Sequence, residues 1–521
     1  MAREIGIDFG TTNSVISFMK DGKVENMKFG REFLTPTVVF FKTENDLLFG
    51  ENAVKKGLLN PRAMVRYFKP NIGKKDKILI KAEDGSEFEK SYKVIAKLFL
   101  NHLFDKANRW LVTKYRNDDE CVSKAIITVP AKFSPIEKEN IKWAANQSNI
   151  DVNIVFEPTA AAIAYNHCID FKPGNKILIY DFGGGTFDVS IIEVKPSGRF
   201  EEIATNGNKN LGGNLLTQKI VDKYLLQRIN DEFNLDLPSS VEDYDDCCGL
   251  SEEIFHQTLL KIYDMANLVK ERLSDENKFT GDLTIDNGDS PYVLNIELKR
   301  EMFESFANDE IQKTIEITKT AFENSGISHN DLTAVVLAGG SSNIPKIREK
   351  LIEHFGKSKV FSDRNVLTLI SEGAAILANS HFSAIQNTVQ QVPNDLGVKV
   401  NEKNILNKFD TLIEAGSKLP VSISKEYSLT HDNQETLEIE IYERDIKNYR
   451  NATQTMHDGI EMIDKLIIDD IPKMPKDDLK IKVKFSIEAD GCMNLEVELL
   501  KTDGTPLKSE NLSILQESNI E

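Results

Sequence analysis

The sequence predicts an α/β fold of two duplicated lobes followed by an all-β domain, on three observations. An apolar run broken by aspartate, glycine and threonine opens the chain, "IGIDFGTTNSVISF" at 5–18. A near copy, "IYDFGGGTFDVSII", stands at 179–192. From about residue 381 the texture changes to strands that alternate apolar and polar residues: "LEIEIYER" (437–444), "KIKVKFSIEADG" (480–491) and "MNLEVELL" (493–500), the period of half-buried strands.

Each copy reads as strand, tight turn, strand, with Asp8 and Asp181, Phe9 and Phe182, and Thr12 and Thr186 in similar places. Either copy alone reads equally as a plain hairpin with a glycine turn; recurrence favours a duplicated fold. Between and after the copies, "VIAKLFLNHLFDKANRWL" (94–111) and "QTLLKIYDMANLVKERLS" (257–274) place apolar residues at three- and four-residue intervals, the pattern of helices packed on a sheet. A third glycine element, "VVLAGGSSNIPKIREKL" (335–351), reads as strand, turn and helix. The proline-broken "DDIPKMPKDD" (469–478) is a loop inside the β domain.

The 521 residues are too many for one core. A net charge of −18 argues against a general nucleic-acid or anionic-membrane surface. The five cysteines, Cys121, Cys168, Cys247, Cys248 and Cys492, show no CxxC spacing, so neither a zinc knuckle nor a disulfide framework is expected. No charged-then-apolar leader opens the chain and no apolar run approaches a membrane span, so a cytoplasmic location is expected.

Glycine turns let successive backbone N–H groups approach an anion, and a neighbouring threonine hydroxyl adds a donor. Gly10, Thr11, Thr12, Gly183, Gly184, Gly185 and Thr186 are therefore expected to clamp phosphate. An aspartate cannot contact phosphate directly but can hold magnesium or its waters, which suits Asp8 and Asp181. No GxxxxGK[ST] P-loop occurs. Gly339, Gly340 and Ser341 of the third element suit the nucleoside.

Together "GIDFGTTNS", "FEPTAAAIAY" (156–165), "DFGGGTFDVSI" and "LAGGSSNIPKI" resemble, in order and spacing, the ATPase signatures of the actin-like superfamily, and specifically of the seventy-kilodalton heat-shock chaperones of DnaK type. "LGVKV", "LIEAGSKLPVS", "DNQETLEIEIYE" and "FSIEADG" look like that family's peptide-holding β-sandwich. The resemblance implies an actin-like ATPase domain at 1–382, a linker at 383–395, a sandwich at 396–505 and a short tail at 506–521 without the helical lid. It implies ATP or ADP with magnesium, the metal held largely through water by Asp8 and Asp181. Lys69, Glu157, Asp181 and Thr186 match catalytic positions; Asn13, Gly212, Gly213, Lys270 and Ser274 join the nucleotide contacts. Pro130 and Lys138 match an interlobe switch, with lysine where arginine is usual. Val398, Tyr427, Leu437, Ile439 and Ile481 match the peptide groove, and Asn401 and Thr430 its arch.

The departures carry expectations too. Glu271 and Asn343 replace the two arginines that sandwich adenine in the family. Each lost stack is worth roughly 0.5 to 2 kcal/mol, so weak ATP binding with poor discrimination against GTP is expected. Asn214 and Leu215 replace acidic residues, and Asn153 and Gln390 stand where J-domain contacts are charged. Unfolded polypeptide clients and a dedicated, divergent J-domain partner are the implied partners. The linker "NTVQQVPND" offers only Val389 and Val392 as apolar surface, so weak docking of the sandwich is expected. The reading is a divergent ATP-dependent chaperone. The alternatives are a nucleotide-binding scaffold with little turnover and, disfavoured by the sandwich, a sugar kinase or filament of the same fold.

Overall fold

The computed structural model describes residues 2–30, 32–146, 150–169, 171–196, 199–245, 248–287, 290–361, 365–379, 388–402, 405–444 and 460–512. Expectations for residues 383–387 of the linker, for residues 513–521 of the tail and for Cys247 lie outside them.

The duplication is visible in the sheet order. In lobe I the central strand Ala2–Phe9 pairs antiparallel with Asn13–Lys20, which pairs with Lys23–Asn26; on its other side lie the parallel strands Cys121–Val129 and Asp151–Phe156. Lobe II repeats this with Lys176–Phe182 at the centre, Phe187–Val194 and Phe200–Asn208 antiparallel on one side, and Leu332–Ala338 and Val360–Phe361 parallel on the other. Both central strands are nearly continuous apolar runs because both faces of each sheet are covered. The expected helices run over Tyr92–Tyr115 and Glu252–Asp275.

Two pivot helices, Glu157–Ile169 and Leu369–Asn379, lie between the lobes; the first is buried from Glu157 to Tyr165 and the second almost wholly. Small residues make this possible. A Cβ on Gly373 would lie 1.8 Å from the Ala160 carbonyl oxygen, and one on Gly6 would lie 2.1 Å from the Ala375 nitrogen. Helix packs on helix, and helix on strand, at backbone contact, with the Ser17 and Ser371 hydroxyls bonded at 2.7 Å across the joint.

The β domain is a sandwich of two four-stranded antiparallel sheets. Alternate residues of Leu479–Ile487 and Met493–Lys501 point inward, as their pattern requires. One boundary differs from expectation. Residues Pro506–Leu512, taken as the start of a tail, form the edge strand against Met493–Lys501. The turn that returns the chain has Gly504 at φ +85, with Asp503 accepting the Thr505 N–H at 2.9 Å.

The sandwich rests on lobe I, and it does so largely through polar groups. Lys142, on the helix Pro135–Ala145, pairs with Asp490 at 2.6 Å, and Glu139 of the same helix accepts the Met493 N–H at 3.0 Å. Lys132 donates to the Pro393 carbonyl and to Asn394 Oδ1, both at 3.4 Å, and Asn394 in turn donates to Glu443 at 2.9 Å. Lys138 is fully buried beneath the sandwich, its stem against Gly491. In the linker, Thr388–Val389 adds a parallel strand to the edge of lobe II beside Phe200–Asn208, and Val392 is buried. Docking judged from the linker valines alone therefore leaves out these contacts on lobe I.

Candidate functional site

Both hairpin turns open on one cavity between the lobes. It is lined by Asp8, Gly10, Thr11, Thr12 and Asn13 from the first copy and by Asp181, Gly183, Gly184, Gly185 and Thr186 from the second. Lys69, Glu157, Lys270, Ser274, Gly339, Gly340 and Ser341 complete the expected set in the wall. Gly212 and Gly213 lie just behind it, where Gly213 N–H donates to the Gly183 carbonyl at 2.9 Å.

The glycines are required by the closeness of the turns. A Cβ on Gly184 would lie 2.3 Å from Thr12 Oγ1, and one on Gly185 would lie 2.8 Å from Thr11 Oγ1, so the two copies interlock. Gly339 has φ +76, and a Cβ there would come within 2.5 Å of Asp181 Oδ1. Thr12 Oγ1 is enclosed without a protein hydrogen-bond partner. Backbone approach unobstructed by side chains, together with an unpaired hydroxyl, fits a phosphate chain.

At the floor, Lys69 Nζ donates to Glu157 Oε1 at 2.9 Å, with both side chains buried. Around this ammonium stand Asp8, Asp181 and a residue that sequence reasoning missed, Asp188, which the Lys132 ammonium also faces. Burial, then Glu157, pushes the Asp8 and Asp188 carboxyls up to about 7. Asp181 is raised well above the usual carboxylate range by burial and by Glu157, Asp188 and Asp8. Such an excess of buried acid fits a divalent cation. Among the described residues no three His, Cys, Asp or Glu side chains converge to enclose one directly. Asp188 was legible through register: it sits opposite Asp181 in the hairpin, where Val15 sits opposite Asp8.

The far wall follows the departures. Glu271 and Asn343 line the cavity, whereas Arg272 pairs with Glu276 at 3.3 Å on the exposed face. Away from the cavity wall, Arg66 holds Asp264 at 2.6 Å, and Arg62 holds Glu252 and His256, bridging lobe I to the helix Glu252–Asp275.

The groove residues are placed differently. Val398, Ile439 and Ile481 are buried in the sandwich interior, and Leu437 and Tyr427 are half-buried, the Tyr427 hydroxyl bonded to Asp410 at 2.6 Å. Asn401 and Thr430 are exposed but locally engaged: Asn401 accepts the Asn407 N–H, and Thr430 donates to Gln434. No helix among the described residues is long and apolar enough to cross a membrane. A family model described as Hsp70 protein matches residues 4–521, almost the entire chain.

Proposed function

The chain belongs to the Hsp70 protein family, and we propose that within it this protein is a divergent chaperone that binds Mg-ATP, hydrolyses it slowly and holds extended polypeptide on its β-sandwich. The observation that carries the reading is the buried Lys69–Glu157 pair among Asp8, Asp181 and Asp188, at the floor of a cavity walled by two glycine turns. Bound Mg-ATP would supply the transferable phosphoryl group and the divalent charge.

This chain's groups then divide the remaining work. Backbone N–H groups at Gly10–Thr12 and Gly183–Thr186 would bind the phosphates, and Asp8 and Asp181 would hold the hydrated cation. Lys69 offers positive charge where negative charge accumulates, and Glu157 holds that ammonium and orients water. The Thr186 hydroxyl donates to the Asp188 carboxyl at the second turn. Polypeptide entry is proposed to need the strand end at Asn401 and the loop at Thr430 to part, because Val398, Ile439 and Ile481 are interior here.

A second reading, a scaffold that binds nucleotide with little turnover, draws on Glu271 and Asn343 at the nucleoside wall. Single-turnover ATP hydrolysis, with and without a peptide library, separates the two. The chaperone reading expects magnesium-dependent turnover that Asp181→Asn and Lys69→Ala each reduce by about a hundredfold or more. Turnover no faster than in those variants would leave the scaffold.

A further inference from the structure

Two residues before Lys69 the backbone is strained. Tyr67 has φ +55, in the left-handed region, which is least suited to a bulky side chain. The other non-glycine residues at positive φ among those described are Asp21, Asn234, Asn407, Asn433 and Asp470, whose short polar side chains tolerate it, and Arg116, which closes a helix. Neither reason applies to Tyr67. The strand Met64–Arg66 alternates sides, with Val65 buried and Arg66 turned toward lobe II. Continued regularly, it would bury residue 67 beside Val65 and turn residue 68 outward with Arg66. Instead Tyr67 is 39% exposed and Phe68 0%, so the left-handed residue inverts the alternation.

The neighbours on both sides are pinned. Arg66 holds Asp264 of lobe II through two guanidinium nitrogens, at 2.6 and 3.5 Å. Phe68 packs against Phe9 and Phe99, with ring centroids 6.2 and 6.0 Å away. Lys69 opens the short turn Lys69–Asn71 and reaches Glu157 at 2.9 Å. A sparsely populated backbone conformation persists where its surroundings over-determine it. Here an ion pair between the lobes stands on one side and the floor ammonium on the other. Resting on the hydrolysis reading above, we infer that Tyr67 is a positioning residue: its left-handed backbone lets Arg66 close on lobe II while Lys69 enters the floor, so that closure of the lobes and placement of the ammonium are one event. The handedness of the backbone carries this role, and the aromatic ring does not.

Single-turnover hydrolysis of ATP by the full chain with magnesium, across substitutions at residue 67, tests this. Tyr67→Gly and Tyr67→Asn accept the left-handed conformation and should stay within about threefold of wild type. Tyr67→Val resists it and should slow turnover about tenfold to a hundredfold. Its affinity for ADP with magnesium, read by calorimetry, should stay within about threefold of wild type, and thermal unfolding verifies that it is folded. Asp264→Ala releases Arg66; it should slow the wild type and add nothing to Tyr67→Val. Tyr67→Val turning over like wild type, or Tyr67→Gly and Tyr67→Asn losing turnover as Tyr67→Val does, overturns the role of the backbone and leaves the hydrolysis reading standing. Additive losses in the double variant overturn the link between closure and placement. No turnover in the wild type overturns the hydrolysis reading and this inference with it.

Discussion

Substituting Glu139 by glutamine should change how the sandwich docks on lobe I, and change it in a pH-dependent way. Burial beneath the sandwich, reinforced by Asp490 and Asp464 and opposed by the Met493 N–H and Lys142, raises the Glu139 carboxyl from 4.5 to about 7. A carboxyl whose value is higher docked than free takes up a proton on docking. Docking is therefore strongest below 4.5, weakens as pH rises toward 7, and stays at its weakened level above. The difference corresponds to about 3 kcal/mol, on the order of a hundredfold in the docking equilibrium. Lys138 acts in another window. Burial lowers it from 10.5 to about 8, so its cost to docking is constant below pH 8 and is relieved between pH 8 and 10.5, where docking strengthens again. Glutamine keeps an oxygen for the Met493 N–H and has no charge to bury. Glu139→Gln should dock about a hundredfold more strongly than wild type at pH 7.5 and lose its dependence between pH 5 and 7. Energy transfer between dyes on lobe I and on the sandwich measures this. An unchanged pH slope in the variant, or wild-type docking that strengthens from pH 5 to 7, would refute the argument.

Further outcomes are expected at the nucleotide cavity. Gly339→Ala puts a methyl group 2.5 Å from Asp181 Oδ1, inside van der Waals contact and at a positive φ, and should weaken nucleotide binding at least about tenfold by calorimetry. Glu271→Arg with Asn343→Arg should tighten ATP binding at least about tenfold by restoring two cation–π stacks; no change would mean that these positions do not face the base. Glu157→Gln removes the carboxylate that raises Asp8, Asp181 and Asp188, so in the variant those carboxyls should titrate at lower pH, read by carboxyl NMR titration; unchanged titration would mean that burial alone sets them.

Much of this architecture was legible where local pattern and tertiary demand agree. Asp8 and Asp181 end strands whose apolar runs announce burial, and the intervening glycines announce a turn. The third carboxylate was hidden because the first copy has Val15 at the equivalent place, so matching the copies residue by residue passed over Asp188; register brings it into view. The edge strand Pro506–Leu512 was hidden for another reason. An edge strand half exposed to water needs little apolar content, and "PLKSENL" carries too few apolar residues to alternate. The docking contacts were beyond sequence pattern altogether, because lysines and glutamates on a helix read as a solvated face until something covers them.

The backbone contact at Gly373 and Gly6 has a mechanical meaning. Elements that touch through their main chains have no side-chain layer to slide on, so the lobes can turn about this joint far more readily than they can shift past one another. Glu157 begins one of the two helices at the joint and so sits near the axis, where displacement is smallest. The bridge from Arg62 to Glu252 is fastened about 27 Å along the helix from Lys270. A turn of about 5° moves a point at such a distance from the pivot by roughly 2 Å, enough to part an ion pair. The lever leaves the reacting groups almost still while the distal clasp swings, so traffic of ligand and precision at Lys69 need not compete for the same motion.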